Sequence, residues 1–359
     1  MTAIDRPETR IAAHAEVVKS LEFTVFKDNL HLLSDANDPK IWQPSDLLPD
    51  VGRDGVSGAR DKEEIIRQQA QTMSRSLRVV AAGNTITEIA TATYAYYLGS
   101  LPGVRETSGI SSDPIAMSKR LWFAQENRHG IVTRDWTKTS GVYDMHAIDL
   151  SAHHLMVNGF DNRADEDVYE DYYYVAKQEP FTRISHMRTG ARAKRDQEKA
   201  GVEGASVYNE MIVPIVQEEA RHGAFYGKIF AGIISLDPDG AVIAIRNMMR
   251  KRIVMPAEYV NDGNYPSMST TLFDRYAFVG NQIGILTLQD NVKLDDLLLN
   301  HWDIANLSLS GEAVKAQTEI FEIHERDRQY AEKMDARRQR SINKEPETSD
   351  FSWLLPETA

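Results

Sequence analysis

The sequence predicts an all-α fold, and three observations carry that expectation. Glycine and proline are sparse and gather at a few points, among them Leu101-Pro102-Gly103, Asp237-Pro238-Asp239-Gly240 and Met255-Pro256, with long stretches between them. Alternating β-branched runs, the mark of half-buried strands, are few. Apolar residues recur instead at helical spacing, as in Leu77, Val80 and Ala81, and again in Ile229, Ile233 and Leu236.

Taken in order, the pattern predicts helices near 9–32, 60–98, 113–140, 144–157, 166–189, 205–235, 239–254, 269–286, 292–304 and 310–340. Asp237-Pro238 reads as an N-cap followed by proline at the first helical position, so a new helix begins there. Residues 341–359 are polar and proline-bearing and read as a tail lying on the surface. No Gly/Ser-rich linker divides the chain. The expectation for 1–359 is one domain of long bundled helices with extra helices around it.

Composition excludes several function classes. A chain of 359 residues, 42% hydrophobic and 26% charged, can bury a large core and is too apolar to be disordered. With 53 acidic against 41 basic side chains, the net charge of -12 argues against nucleic-acid binding. The absence of cysteine removes disulfides, thiolate nucleophiles, Cys-ligated zinc and iron–sulfur clusters. No apolar run is long enough to span a bilayer, and the first residues, with Asp5, Glu8 and Glu16, lack a signal's apolar core. The expected location is cytoplasmic.

Two segments carry the chemistry. Gln125-Glu126-Asn127-Arg128-His129-Gly130 and Glu218-Glu219-Ala220-Arg221-His222-Gly223 each contain Glu-x-Arg-His-Gly inside a helical stretch. Three residues apart on a helix, each Glu shares a face with its His, so both can point at one object. A lone Glu-x-x-His is most often a surface polar pair; a repeat with the same Arg and Gly is much less so. Glu88 precedes the first copy and Glu179 the second by similar separations. One helix with a Glu, then one with Glu-x-x-His, occurring twice, is the di-iron carboxylate arrangement of ferritin-like four-helix bundles. The charges balance. Four carboxylates in one core would repel and lose hydration, whereas two Fe(II), or two Fe(III) with one oxide, cancel them. Oxygen-rich ligation with two imidazoles suits iron or manganese better than zinc or calcium. Other conspicuous residues read as non-ligating: His153-His154 diverge on a helix and are structural or exposed, His186 is a helix-end polar residue, and Tyr172-Tyr173-Tyr174 is core packing.

At these residues the chain resembles the soluble acyl-acyl-carrier-protein desaturases, the plant stearoyl type and its bacterial relatives. The likeness extends beyond the ligands, to Trp42-Gln43-Pro44-Ser45-Asp46-Leu47-Leu48-Pro49-Asp50, Ile86-Thr87-Glu88, Trp122-Phe123-Ala124, Ile184-Ser185-His186, Met248-Met249-Arg250-Lys251 and Phe351-Ser352-Trp353. The resemblance implies that Glu88, Glu126, His129, Glu179, Glu219 and His222 bind two iron ions, cycling between Fe2+ and Fe3+. It makes Glu126 and Glu219 the bridging carboxylates and Glu88 and Glu179 the terminal ones. It places Thr182 as a catalytic residue on the oxygen side, and Trp42 with Glu218 behind His129 on an electron route. The implied reaction is oxygen-dependent removal of two hydrogens from adjacent methylenes of an acyl chain on acyl carrier protein. A ferredoxin supplies electrons, and the enzyme is a homodimer. Lys40 and Arg221 are candidates for docking the acidic carrier, with Lys119, Arg120 and Arg250 to Arg252 behind them.

The chain also departs from the plant pattern. Ile89 follows Glu88, and Gln125 precedes Glu126, where plant members carry Glu. Pro180 follows Glu179 directly in what should be helix interior, at a nominal cost of about 3 kcal/mol, so a kink or π-type distortion is expected there. Two alternatives stay open: a di-iron hydroxylase or oxidase of a carrier-bound chain, and a non-catalytic iron-binding bundle.

Overall fold

The computed structural model describes residues 7–33, 41–101, 104–105, 109–160, 167–251, 260–262, 271–341 and 344–356. Its elements are α1 (Pro7–Ser20), α2 (Val51–Thr72), α3 (Arg75–Ile89), α4 (Thr91–Ser100), α5 (Pro114–Ser140), α6 (Met145–Asn158), α7 (Val168–Lys199), α8 (Val207–Leu236), α9 (Pro238–Arg250), α10 (Thr271–Gln282), α11 (Leu288–His301) and α12 (Gly311–Arg340). The fold is all-α. Among the described residues the one β pairing is an isolated antiparallel bridge between Tyr143 and Leu354.

Four helices form the centre. α7 lies along α8 and α3 along α5, while α3 also touches α7 and α5 touches α8, closing a square. The remaining helices cover this bundle: α9, α11 and α12 pack together against α7 and α8, and α6 and α10 lie on α3. Two apolar cores fill it at different heights. One gathers Trp122 of α5, Tyr169 to Ala176 of α7 and Phe225 to Ile234 of α8. The other gathers Leu77 to Ile86 of α3, Val132 and Trp136 of α5, and Met211, Ile212 and Ile215 of α8. Glu126 and His129 lie between the two cores along α5, as Glu219 and His222 do along α8. The bundle thus carries one polar layer sandwiched between apolar slabs, which is what excludes water from it.

Several boundaries differ from the sequence expectation, each for a physical reason. The stretch 60–98 is not one helix. It breaks at Met73 and Ser74, where the backbone turns extended and the Ser74 N–H donates to Asp196, and again at Ala90. The segment 9–32 ends its α-helix at Ser20 and continues as a π turn over Glu22–Phe26, which buries Phe26. α7 runs to Lys199, ten residues beyond the expected end. Its Gly190 marks not a terminus but a close approach to α8, for a Cβ there would lie 3.3 Å from Ile212. Helix 292–304 begins earlier, at Leu288, behind a capping box between Thr287 and Asp290. The C-terminal segment is not a surface tail. Phe351, Trp353 and Leu354 are buried, Trp353 Nε1 donates to Ser151 Oγ at 2.9 Å, and the Asp144 N–H donates to the Trp353 carbonyl.

Pro180 sits inside α7, which stays α-helical through it with no π turn. Of the two expected distortions, the π type is therefore absent. The facing residue on α8 is Gly223, where an added Cβ would come within 3.0 Å of the Pro180 ring. The glycine leaves room for the ring, so the helix accommodates proline by a gap in its neighbour.

One prediction arises from the α11 cap. Arg188 grips Asp290 with both guanidinium nitrogens, at 2.5 and 2.7 Å, and the Thr287 N–H and hydroxyl also donate to it. Burial pushes the Asp290 pKa up, but these hydrogen bonds outweigh it and hold it below the usual carboxylate range. A carboxyl with a depressed folded pKa stabilises the fold fully above its unfolded value and loses that contribution as pH falls through the folded one. Asp290→Asn is expected to cost about 1–3 kcal/mol at pH 7. The gap to wild type should narrow as pH drops below the ordinary aspartate value of 3.8, as urea unfolding at several pH values would read.

Candidate metal centre

Each central helix delivers its ligand at the polar layer. Glu88 stands one residue before the end of α3, where the chain breaks and the Thr91 hydroxyl donates to the Glu88 carbonyl at 2.6 Å. α5 presents Glu126 and His129, α7 presents Glu179, and α8 presents Glu219 and His222, all buried. The two glycines of the repeated motif have a direct purpose. A Cβ on Gly130 would lie 2.6 Å from the Glu88 carbonyl oxygen, so only glycine lets α5 approach α3 at the ligand. Gly223 does the same for α8 against Pro180.

The six side chains fall into two overlapping sets. Glu88, Glu126, His129 and Glu219 each offer one atom within 4.8 Å of the others, and so do Glu126, Glu179, Glu219 and His222. Glu126 and Glu219 belong to both. His129 Nδ1 faces Glu88, Glu126 and Glu219 at 3.7, 3.6 and 3.6 Å. His222 Nδ1 faces Glu126, Glu179 and Glu219 at 2.9, 3.4 and 3.8 Å.

The inward atoms lack hydrogen-bond partners. Glu88 Oε2, Glu126 Oε1, Glu219 Oε2, His129 Nδ1 and His222 Nδ1 are all buried and unbonded in that sense. Buried polar atoms without partners are costly, and five converging ones call for a ligand. Burial raises the pKa of Glu88 and Glu179. Burial also disfavours charge on His129 and His222, yet the carboxylates around them outweigh it and push both upward. A proton on each Nδ1 cannot satisfy three carboxylates, whereas a divalent cation in each set would neutralise its share. The donor set therefore fits metal, and this Glu/His cluster could hold it.

The outward atoms, by contrast, are fully engaged. His129 Nε2–H donates to Glu218 Oε2 at 2.8 Å, and Trp42 Nε1 donates to Glu218 Oε1 at 2.8 Å. Arg128 also donates to Glu218 Oε1 at 2.6 Å and lies over the Trp42 ring, 5.1 Å from its centroid. Burial pushes the Glu218 pKa up, but the His129 and Trp42 hydrogen bonds and the nearby positive charges outweigh it and lower it to about 2. His222 Nε2–H donates to Gln125 Oε1 at 2.7 Å, and the Gln125 amide donates to the Leu33 carbonyl at 2.9 Å.

The structure brings Glu88, Glu126, His129, Glu179, Glu219, His222, Trp42 and Glu218 together. Thr182 lies beside them, on the wall of a cavity that also exposes Glu88, Glu126, Glu179 and Glu219 and is otherwise lined by apolar and aromatic side chains. Its Oγ1 accepts from the Gln178 amide at 3.2 Å. Of the docking candidates, Lys40 and Arg252 lie outside the described residues. Arg221 turns toward Glu218 Oε1 at 3.4 Å, Lys119 donates to the Val104 carbonyl, and Arg250 and Lys251 pair with Glu319 and Glu170.

Two neighbours escaped the sequence reading. His186 is not a helix-end residue: it is buried in α7, and its Nε2 meets Glu88 Oε1 at 2.7 Å. The signal was its position two turns after Glu179, on the same face of one helix. Trp122 Nε1 donates to Glu179 Oε1 at 3.0 Å, one turn before Glu126.

Comparison with known proteins agrees with this geometry. The fatty acid desaturase family model matches residues 13–355. The chloroplastic stearoyl-[acyl-carrier-protein] 9-desaturase of Gossypium hirsutum is 34% identical over 341 residues, covering 95% of this chain and 81% of its own. That of Simmondsia chinensis is 35% identical over 343 residues, covering 95% and 80%. That of Ricinus communis is 34% identical over 317 residues, covering 88% and 75%. Among the described residues no helix is long and apolar enough to cross a membrane. On the strength of the family match and these identities, the chain belongs to the fatty acid desaturase family.

Proposed function

We propose that the protein is an acyl-acyl-carrier-protein desaturase that introduces a cis double bond into a carrier-bound acyl chain. The observation that carries this reading is the juxtaposition of two ligand sets sharing Glu126 and Glu219 with an apolar, aromatic cavity opening onto them. Unactivated C–H bonds offer no proton that a side chain could take, so the oxidising power must come from metal and dioxygen. Two iron ions, held by Glu88, Glu126, His129, Glu179, Glu219 and His222, would supply it. The balance is removal of two hydrogens from adjacent carbons, with dioxygen, two electrons and two protons leaving as two waters.

The chain's own residues do the rest. Tyr94, Leu98, Phe160, Tyr174 and Val175 form a dry wall along which an acyl chain can lie, fixing which carbons face the polar layer. Glu218 holds His129 in one tautomer, with Nδ1 inward. Trp42, bonded to Glu218 and parallel to the His129 ring at 6.2 Å, offers a route for electrons from a ferredoxin-type donor. Thr182, accepting from Gln178, keeps its own proton for the water that forms in the cavity. Carrier docking through Arg221 and Lys40 and a homodimeric assembly complete the proposal.

The test is iron reconstitution under anaerobic conditions, then single turnover with a panel of acyl-acyl-carrier-protein thioesters. Loss of two hydrogens from the product, read by mass spectrometry, supports the reading. Gain of an oxygen, or no product from any thioester, overturns it. Thr182→Val is expected to slow turnover by about 10- to 100-fold while leaving iron content unchanged.

A further inference from the structure

The two ligand sets are alike on the inside and unlike on the outside. Each histidine donates its Nε2–H to the residue that precedes a shared glutamate on the facing helix. For His129 that residue is Glu218, at 2.8 Å; for His222 it is Gln125, at 2.7 Å. The positions correspond, but one acceptor is a carboxylate and the other an amide.

The difference reaches the inward atom. A carboxylate bears a full charge and draws the imidazole proton toward itself, which makes the opposite nitrogen a stronger donor to a metal. A neutral amide oxygen does this less. Arg128, Arg221 and Trp42 all reach Glu218 Oε1, which leaves Oε2 to His129. The amide of Gln125 is not free to turn, because its N–H₂ donates to the Leu33 carbonyl at 2.9 Å and so directs the oxygen at His222. The terminal carboxylates are held from outside as well, Glu88 by the imidazole of His186 and Glu179 by the indole of Trp122.

We propose that the chain holds its two metal ions unequally, the position formed with His129 binding divalent metal more tightly and filling first, with Gln125 as the positioning residue that weakens the position formed with His222. The inference rests on the two-metal reading given above. It bears on assembly and on electron demand at each ion, and not on which substrate is oxidised.

The test is an anaerobic titration of the metal-free full chain with Co(II), followed by calorimetry and by visible absorption. A companion crystal is grown with one equivalent of Co(II) for anomalous diffraction. The expected result is two binding steps with dissociation constants about 10-fold or more apart, and an anomalous peak beside His129. Gln125→Glu should bring the constants together by strengthening the weaker step. Glu218→Gln should bring them together by weakening the tighter one. Two equal steps in the wild-type chain, a first peak beside His222, or an unchanged separation in both variants overturns the inference. Failure to bind Co(II) at all overturns the two-metal reading on which it stands.

Discussion

Glu219→Gln is expected to lower desaturation by about 10³-fold or more, corresponding to about 4 kcal/mol of lost transition-state stabilisation. Glu219 is 1% exposed and belongs to both ligand sets, so the substitution removes a negative oxygen donor from two positions at once. Its neighbours cannot compensate. His129 Nδ1 and His222 Nδ1 already face the other carboxylates, and two apolar cores enclose the layer. Glu179→Gln touches one set alone and should weaken metal binding only beside His222. Iron content per chain, measured with turnover, separates the two cases. A Glu219→Gln protein that keeps its iron and more than about a tenth of wild-type turnover would contradict the shared role.

Gly130→Ala is the second large effect, and it acts through the backbone. The added Cβ would lie 2.6 Å from the Glu88 carbonyl oxygen, 3.1 Å from its carbon and 3.3 Å from the Ile89 Cα, none of which is a flexible side-chain end. α5 must then move away from α3, at a cost of about 3 kcal/mol or more, which the better helix propensity of alanine, about 1 kcal/mol, does not offset. The same shift carries Glu88 from its place, so metal affinity beside His129 should fall about 10-fold. Gly223→Ala meets a proline ring at 3.0 and 3.1 Å rather than main chain, and should cost about 1 kcal/mol. Urea unfolding of the metal-free proteins gives the order. A Gly130→Ala protein as stable as wild type would show that the contact with α3 does not constrain the bundle.

What the sequence made legible, and what it did not, follows from where the information lies. The repeated Glu-x-Arg-His-Gly and the two isolated glutamates are local patterns with a local cause, helical periodicity, and all six side chains meet in the bundle. Even the glycines, read there only as part of a repeat, have their reason in a neighbour. The break at Ala90 has no local signal; it coincides with the approach of Gly130 to the Glu88 carbonyl, a contact between distant segments. Pro180 shows the same dependence: its accommodation is written at Gly223, on another helix. The start of α11 was readable, since Thr287 and Asp290 stand at capping-box spacing. The C-terminal segment misleads because its polar composition hides three apolar residues, Phe351, Trp353 and Leu354, which dock between distant helices. His186 misleads for a related reason: a polar residue reads as exposed until its buried partner, Glu88, is known.

The central claim is that six side chains from four helices hold two metal ions through two shared carboxylates. Diffraction from iron-loaded crystals, collected on both sides of the iron absorption edge, tests it most directly. The account predicts two anomalous peaks in the polar layer, both touched by Glu126 and Glu219, one flanked by Glu88 and His129 and the other by Glu179 and His222. A single peak, or peaks away from these residues, would contradict it.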